Sequence, residues 1–240
     1  MKLTVLIPMY NEADIVADTL SEITAYMKES FTDDYEILFV NDGSKDHCAE
    51  IVAACTDPAV RLVSYEENRG KGHAIRTGVA EARGDVIIFT DCDLAYGCGV
   101  IKTFYDALSR DGAPDVAVGS RSKHPEGYAG YSFLRKVVSK CYLLVLRIFG
   151  GLSLSDSQCG CKGFRGESAK KIFSYCEVDR FAFDFEAILV GQRLGMRFEE
   201  IPVAVERHGK SSVHVLRDTF KMLSDLRKMK KRIKRIKVED

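Results

Sequence analysis

The sequence predicts an α/β protein: a mostly parallel, doubly wound sheet with helices on both faces. Short apolar strands alternate with helical stretches through the first half of the chain. Each apolar run stops in a polar, glycine-bearing segment. The 240 residues, 46% hydrophobic and 29% charged, suffice for one large folded domain.

The elements follow in order. Leu3–Ile7 reads as a strand, and Asn11 or Asp14 can start a helix over Ile15–Glu29. Tyr35–Val40 is the second strand, ending in the turn "NDGSKD". Asp46–Cys55 is helical, with Asp46 and His47 at its start, and Val60–Ser64 is the third strand. "ENRGKGHAIRTGVAEA" is a glycine-rich loop entering a helix. Val86–Thr90 is the fourth strand, "GVIKTFYDALSR" a helix and "DVAVGSR" the fifth strand. Beyond residue 121 the alternation loosens. A Gly/Tyr-rich loop precedes a basic, apolar helix near Leu134–Phe149. A helix near Glu167–Tyr175, the stretch "RFAFDFEAILVGQRLG" and a last strand in "RFEEIPVAVE" follow. With no linker-like tract, residues 1–210 read as one domain.

Residues 211–240 read as a basic amphipathic helix. Val215, Thr219, Met222, Leu226, Met229, Ile233 and Ile236 form a stripe with a 3.5-residue repeat. Such a helix can pack on the domain, lie on an anionic membrane through 212–237, or pair with a second copy. The run "CYLLVLRIFGGLSL" is broken by Arg147 and two glycines and is too short to span a bilayer. No secretory signal precedes the eight cysteines, so reduced thiols and a cytoplasmic chain, at most peripheral on a membrane, are expected. Cys159-Gly-Cys161 lacks the second pair a zinc site needs. Zero formal net charge gives no pointer to nucleic acid.

In open α/β sheets ligands bind beyond the C-terminal strand ends. Pro8–Glu12, Asn41–Ser44, Asn68–Gly72, Asp91–Asp93 and Gly119–Arg121 should therefore face one crevice. Asp91 and Asp93 close an apolar strand, where two carboxylates are costly without a cation. Their spacing suits Mg²⁺ or Mn²⁺ shared with a substrate diphosphate. Glycines around Lys71 let backbone N–H groups approach phosphate, and the lysine adds charge.

Taken in order, "IPMYNEA", "VNDGSKD", "NRGKGHAIRTG", "DCDLA", "GSR", "DSQCGCKGFR" and "FDFE" resemble the motif set of the family 2 glycosyltransferases. The closest likeness is to dolichyl-phosphate glucose and mannose synthases and bacterial polyprenyl-phosphate relatives. The resemblance covers about residues 3–206 and implies the GT-A fold. It implies a nucleotide-sugar donor, UDP-glucose first and GDP-mannose next, and a polyprenyl phosphate acceptor. By the same resemblance, Pro8, Tyr10 and Glu12 cradle the nucleoside and Asp42 reads the base. Lys71 serves the glycine-rich loop, Asp91 sits near the ribose, and Asp93 holds the metal. Arg121 and Arg135 face the acceptor phosphate, which guanidinium binds bidentately. Arg207, His208 and Lys210 belong to a closing basic loop that reaches the diphosphate.

A phosphate acceptor is already anionic and needs little base catalysis. A sugar hydroxyl needs a base, and Asp156, Asp184 and Glu186 compete for it. Asp184 can instead cap the helix that begins in "FDFEA". Asp184 and Glu186 share a face on a strand and not on a helix. A non-catalytic nucleotide-binding module is the remaining alternative. A haloacid-dehalogenase-type phosphotransferase is disfavoured by Ala95, which stands where a threonine or valine belongs. A pyrophosphorylase is disfavoured because "PMYNEA" follows the first strand in place of a glycine-rich signature.

Overall fold

The computed structural model describes residues 1–32, 34–128, 154–180, 182–207 and 229–236. The strands are β1 (Leu3–Met9), β2 (Tyr35–Asp42), β3 (Val60–Tyr65), β4 (Val86–Phe89), β5 (Val116–Ser120), β6 (Lys162–Arg165) and β7 (Phe198–Pro202). The helices are α1 (Val16–Ser30), α2 (Cys48–Ala53), α3 (Lys71–Glu81), α4 (Gly99–Ser109), α5 (Gly166–Ser174) and α6 (Phe183–Arg193). Arg121–Lys123 forms a 3₁₀ turn directly after β5.

The seven strands form one sheet in the order β3-β2-β1-β4-β6-β5-β7. All pairs are parallel except those of β6, which runs antiparallel to both β4 and β5. The sequence reading placed the parallel strands but not β6. Lys162-Gly163-Phe164-Arg165 is four residues long and lacks an apolar run, so neither periodicity nor composition marks it.

Side-chain alternation along the strands divides the core in two. Leu6, Leu38, Val40, Ile87 and Phe89 face α3, α5 and α6, packing on Ile75, Val79, Ile172 and Ile188. Val5, Ile7, Ile37, Phe39, Val86 and Ile88 face α1, α2 and α4, packing on Ile23, Met27, Val52, Ile101 and Phe104. Strands buried on both faces read as continuous apolar runs, which is why β1, β2 and β4 were legible. Each such side chain contributes about 1.5–3 kcal/mol relative to exposure.

Residues 229–233 are helical, and Met229, Ile233 and Ile236 are buried in the core cluster of α3, α5 and α6. This described end of the tail packs on the domain, the first of the three readings. The expected helix near Leu134–Phe149, and most of 211–240, lie outside the described residues.

Candidate active site

The C-terminal ends of β1, β2, β4 and β5 open onto one edge of the sheet. Because β6 runs backwards, its first residue, Lys162, pairs with Phe89 at the end of β4 and with Val118 in the middle of β5. The reversal delivers the segment before β6, with Asp156 and Gly160, to the same edge.

Asp91 and Asp93 follow β4. Lys71, the first residue of α3, pairs with Asp91 through Nζ and Oδ1. The other side of Asp91 rests on Gly160, where an added Cβ would lie 2.1 Å from Oδ2. Only glycine permits that approach. Asp93 accepts a hydrogen bond from the Ala95 N–H at 3.1 Å. Burial and the neighbouring Asp91 hold its carboxyl above the ordinary range. Burial, Asp93 and Asp91 raise Glu12 likewise. The three carboxylates feel one another's charge, and Lys71 pairs with one of them, Asp91. Hard oxygen donors in surplus fit a divalent cation such as Mg²⁺ or Mn²⁺. Among the described residues no group of three His, Cys, Asp or Glu side chains closes a metal site alone.

Pro8 is buried in β1, and Tyr10 just beyond it is exposed. The end of β1 is tied to the end of β2 by Asn11, whose N–H donates to Ser44 Oγ at 3.0 Å and whose Oδ1 accepts from the Lys45 N–H at 2.8 Å. Asp46 accepts from the N–H groups of Ala13 and Cys48, in keeping with a helix-start role.

Asp42 is buried at the end of β2 and accepts four hydrogen bonds. Tyr65 Oη and the Arg69 N–H donate to Oδ1, each at 2.8 Å. Asn68 Nδ2 and the Gly70 N–H donate to Oδ2, also at 2.8 Å each. The carboxylate shapes the glycine-rich loop, a role that the sequence did not reveal. Beside these partners lies an open hollow of about 450 Å³ lined by Tyr65, Glu66, Glu67, Arg69, His73 and Thr77. His73 Nδ1 sits 3.0 Å from Arg76 Nη2 and its ring meets Tyr65 edge-on. Burial, Arg69 and Arg76 lower its pKa, which favours the neutral ring.

At the end of β5, Arg121 meets Asp156 in a two-pronged pair: Nε to Oδ2 at 2.7 Å and Nη2 to Oδ1 at 2.9 Å. The Arg121 and Gln158 N–H groups also donate to Asp156, at 3.2 and 3.0 Å. Burial opposes the charge on Asp156, but Arg121 outweighs it and holds the carboxyl below the ordinary range. Asp156 is a poorer base than Asp184, whose carboxyl is raised; it fixes the arginine. Flanking residues add a second layer. Ser155 Oγ bonds Ser120 Oγ and Ser122 Oγ at 2.7 Å each, and its N–H donates to Glu200 Oε1 at 2.7 Å.

Asp184 stands in the first turn of α6, two residues past the N-cap position Ala182, and so is not the cap. Lys162, buried, donates from Nζ to Asp184 Oδ1 and to the Cys159 carbonyl, both at 2.6 Å. Burial holds Asp184 above the ordinary range, against the pull of Lys162 and Lys71. Glu186 points elsewhere, as helical spacing requires: it accepts from the N–H groups of Glu177 and Val178. Lys162 is the buried cation of this wall, and its place beside Asp184 follows from the reversed strand, which sequence reasoning did not find.

A model of glycosyl transferase family 2 matches residues 4–173. The chain belongs to that family. Among its relatives is a dolichyl-phosphate beta-glucosyltransferase of Saccharomyces cerevisiae, 30% identical over 93% of this chain and 72% of the yeast protein. One of the same name from Trichomonas vaginalis is 33% identical, over 93% of this chain and 69% of its own length. Of the solved structures, glucosyl-3-phosphoglycerate synthase from Mycobacterium tuberculosis, in complex with Mn²⁺, UDP and glucosyl-3-phosphoglycerate, superposes with a TM-score of 0.68. It is 16% identical and covers all of this chain and 81% of the other. The glycosyltransferase thus has the mixed α/β fold of that synthase.

The site of the glycosyltransferase brings together Glu12, Lys71, Asp91 and Asp93 on one side, and Lys162 and Asp184 beside them. Arg207 pairs with Glu22 at 2.7 Å, and its backbone N–H donates to the Ala95 carbonyl at 3.2 Å, two residues beyond Asp93. Arg135, His208 and Lys210 lie outside the described residues. Cys159 and Cys161 are buried free thiols against this wall.

Proposed function

We propose that this glycosyltransferase moves glucose from UDP-glucose to the phosphate of a dolichol-type polyprenyl phosphate, with inversion at the anomeric carbon. The observation that carries the reading is the meeting, at one sheet edge, of a carboxylate cluster short of positive charge and an arginine locked by a buried carboxylate. The first suits a metal-bound diphosphate and the second an anionic acceptor. The names of the yeast and Trichomonas relatives support donor sugar and acceptor alike.

Asp93 and Asp91 would hold Mg²⁺ or Mn²⁺, with further oxygens from the donor. A bound ion supplies positive charge against the negative charge that gathers on the departing diphosphate. Lys71 adds a fixed ammonium there. Burial opposes its charge, but Asp91 and Asp184 hold it protonated above the ordinary lysine range. The hollow beside Tyr65 and Arg69 suits the nucleoside end; Tyr10 is exposed at the end of β1, two strands along the sheet from β3. Arg121 orients the acceptor, whose phosphate oxygen attacks the anomeric carbon. The new carbon–oxygen bond forms as the bond to the diphosphate breaks, and the electron pair leaves with UDP. No proton need be removed from the acceptor.

A second reading rests on Asp184. A buried carboxylate with a raised pKa is suited to take a proton, so a sugar hydroxyl as acceptor would make Asp184 the base. One assay separates the two: transfer of labelled sugar from UDP-glucose or GDP-mannose to a short polyprenyl phosphate, with Mg²⁺, Mn²⁺ or EDTA. A metal-dependent lipid-phosphate glucose is the expected product. Donor hydrolysis with no lipid product would turn the reading to hydroxyl acceptors.

Membrane contact belongs to the same proposal. Among the described residues no helix is long and apolar enough to cross a bilayer. Met229, Ile233 and Ile236 are turned into the core, while Lys231, Lys234 and Arg235 face out. That end of the tail can meet anionic lipid by charge, not by insertion.

A further inference from the structure

The C-terminal segment is wired to the glycine-rich loop. Glu186 on α6 is fully buried, a position a carboxylate occupies only with partners. Its Oε2 accepts from the Glu177 N–H at 3.0 Å and the Val178 N–H at 2.8 Å. Its Oε1 takes Arg232 from the tail, whose other guanidinium nitrogen pairs with Glu177. Arg193 Nη2 fastens the next turn by donating to the Ile236 carbonyl at 2.9 Å. Segment 177–180, held on that side by Glu186 and Arg232, touches the glycine-rich loop on the other. A Cβ on Gly70 would lie 2.6 Å from the Asp179 carbonyl oxygen, and one on Gly72 2.4 Å from that of Val178. The His73 N–H donates to the Asp179 carbonyl at 3.1 Å. Asp179 also pairs with Arg76, and lies 3.9 Å from Arg69 Nη2. Between Gly70 and His73 stands Lys71, the partner of Asp91.

We propose that docking of residues 229–236 through Arg232 onto Glu186 positions the glycine-rich loop for the nucleoside diphosphate, so that the tail and the donor bind cooperatively. Arg232 is a positioning residue: it acts through Glu186 and segment 177–180. The proposal rests on the donor-site reading above. Coupling between two sites is reciprocal, so UDP must tighten the tail by the factor with which the tail tightens UDP.

The test uses the full chain and UDP with Mn²⁺ as probe. By calorimetry, Arg232→Met weakens UDP binding about tenfold and raises the donor KM in step, with the acceptor KM unchanged. By hydrogen exchange on the wild-type protein, saturating UDP slows the amides of 229–236 by a similar factor. The second measurement needs no variant and stands if Arg232→Met fails to fold. A simple structural role for Arg232 lowers the melting temperature but leaves exchange in the tail insensitive to UDP. Wild-type protein that binds UDP with no change in tail exchange overturns the coupling and leaves the donor reading in place. Wild-type protein that binds no UDP overturns both.

Discussion

Two ion pairs stand at the same edge of the sheet and are built in opposite ways. Lys71–Asp91 is partly open to solvent, and its neighbours Asp93 and Glu12 are unbalanced carboxylates. Arg121–Asp156 is buried, two-pronged and further braced by backbone N–H groups and the Ser155–Glu200 contact. The first pair is electrostatically incomplete, as a site must be if a charged ligand is to finish it. The second is complete in itself and rigid. The family's motifs mark both places, but only the geometry tells a site that waits for charge from one that is already set.

The largest effect tests the incomplete side. Asp93→Asn should cut metal-dependent transfer by about 10²–10³-fold, read as initial rate with Mn²⁺. Intact Mn²⁺-dependent turnover would remove Asp93 from the metal.

Breaking the complete side should look different. Asp156→Asn leaves a buried guanidinium without its counter-charge. A loss of about 3–5 kcal/mol in urea unfolding is expected, with the acceptor KM raised and UDP affinity near normal. A change in donor binding alone would show that Arg121 does not face the acceptor.

Acid sharpens the contrast. Asp93 and Glu12 have raised pKa values, so the folded state binds protons more readily than the unfolded chain. Their ionisation therefore costs stability as pH rises through the carboxylate range. Asp156 is lowered, so its stabilisation is present above the unfolded pKa and is lost as pH falls through the folded one. Without metal at pH 7, Asp93→Asn should melt higher than wild type and Asp156→Asn lower. At acid pH the two melting curves should converge on the wild-type curve, by calorimetric scans.

The smallest expected effect lies at the loop. Tyr65→Phe deletes one of the four hydrogen bonds to Asp42, worth about 1.5–3 kcal/mol to a charged acceptor at most. Because three others remain, a rise of only about threefold to tenfold in donor KM is expected. No change in steady-state kinetics would show that Asp42 does not need Tyr65 to shape the loop.

What was legible in the sequence follows the same division. β1, β2 and β4 declared themselves because both their faces are buried, and their polar ends stood out against that background. The motifs then named Asp91, Asp93, Lys71 and Arg121. Pairings over long separations were not legible: Asp156 with Arg121, Lys162 with Asp184, Arg232 with Glu186. Each depends on which elements the topology sets side by side, and β6, whose four residues carry no pattern, decides much of that. The stripe through Met229, Ile233 and Ile236 was visible as amphipathic, but nothing in it named the domain's own core as the partner.

The reversed strand also has a consequence for synthesis. β4 lies between β1 and β6, and its second edge is filled only by Lys162–Arg165. During elongation on the ribosome, β1 through β4 can assemble with their helices while Val86–Phe89, apolar throughout, still presents unpaired N–H and C=O groups. An apolar open edge is a template for pairing with another chain. The insertion of β6 is therefore the step that seals the nascent sheet, and the same step delivers Lys162, Asp156 and Gly160 to the active edge. A chain stalled before residue 162 has neither a closed sheet nor the Lys162–Asp184 pair at its edge.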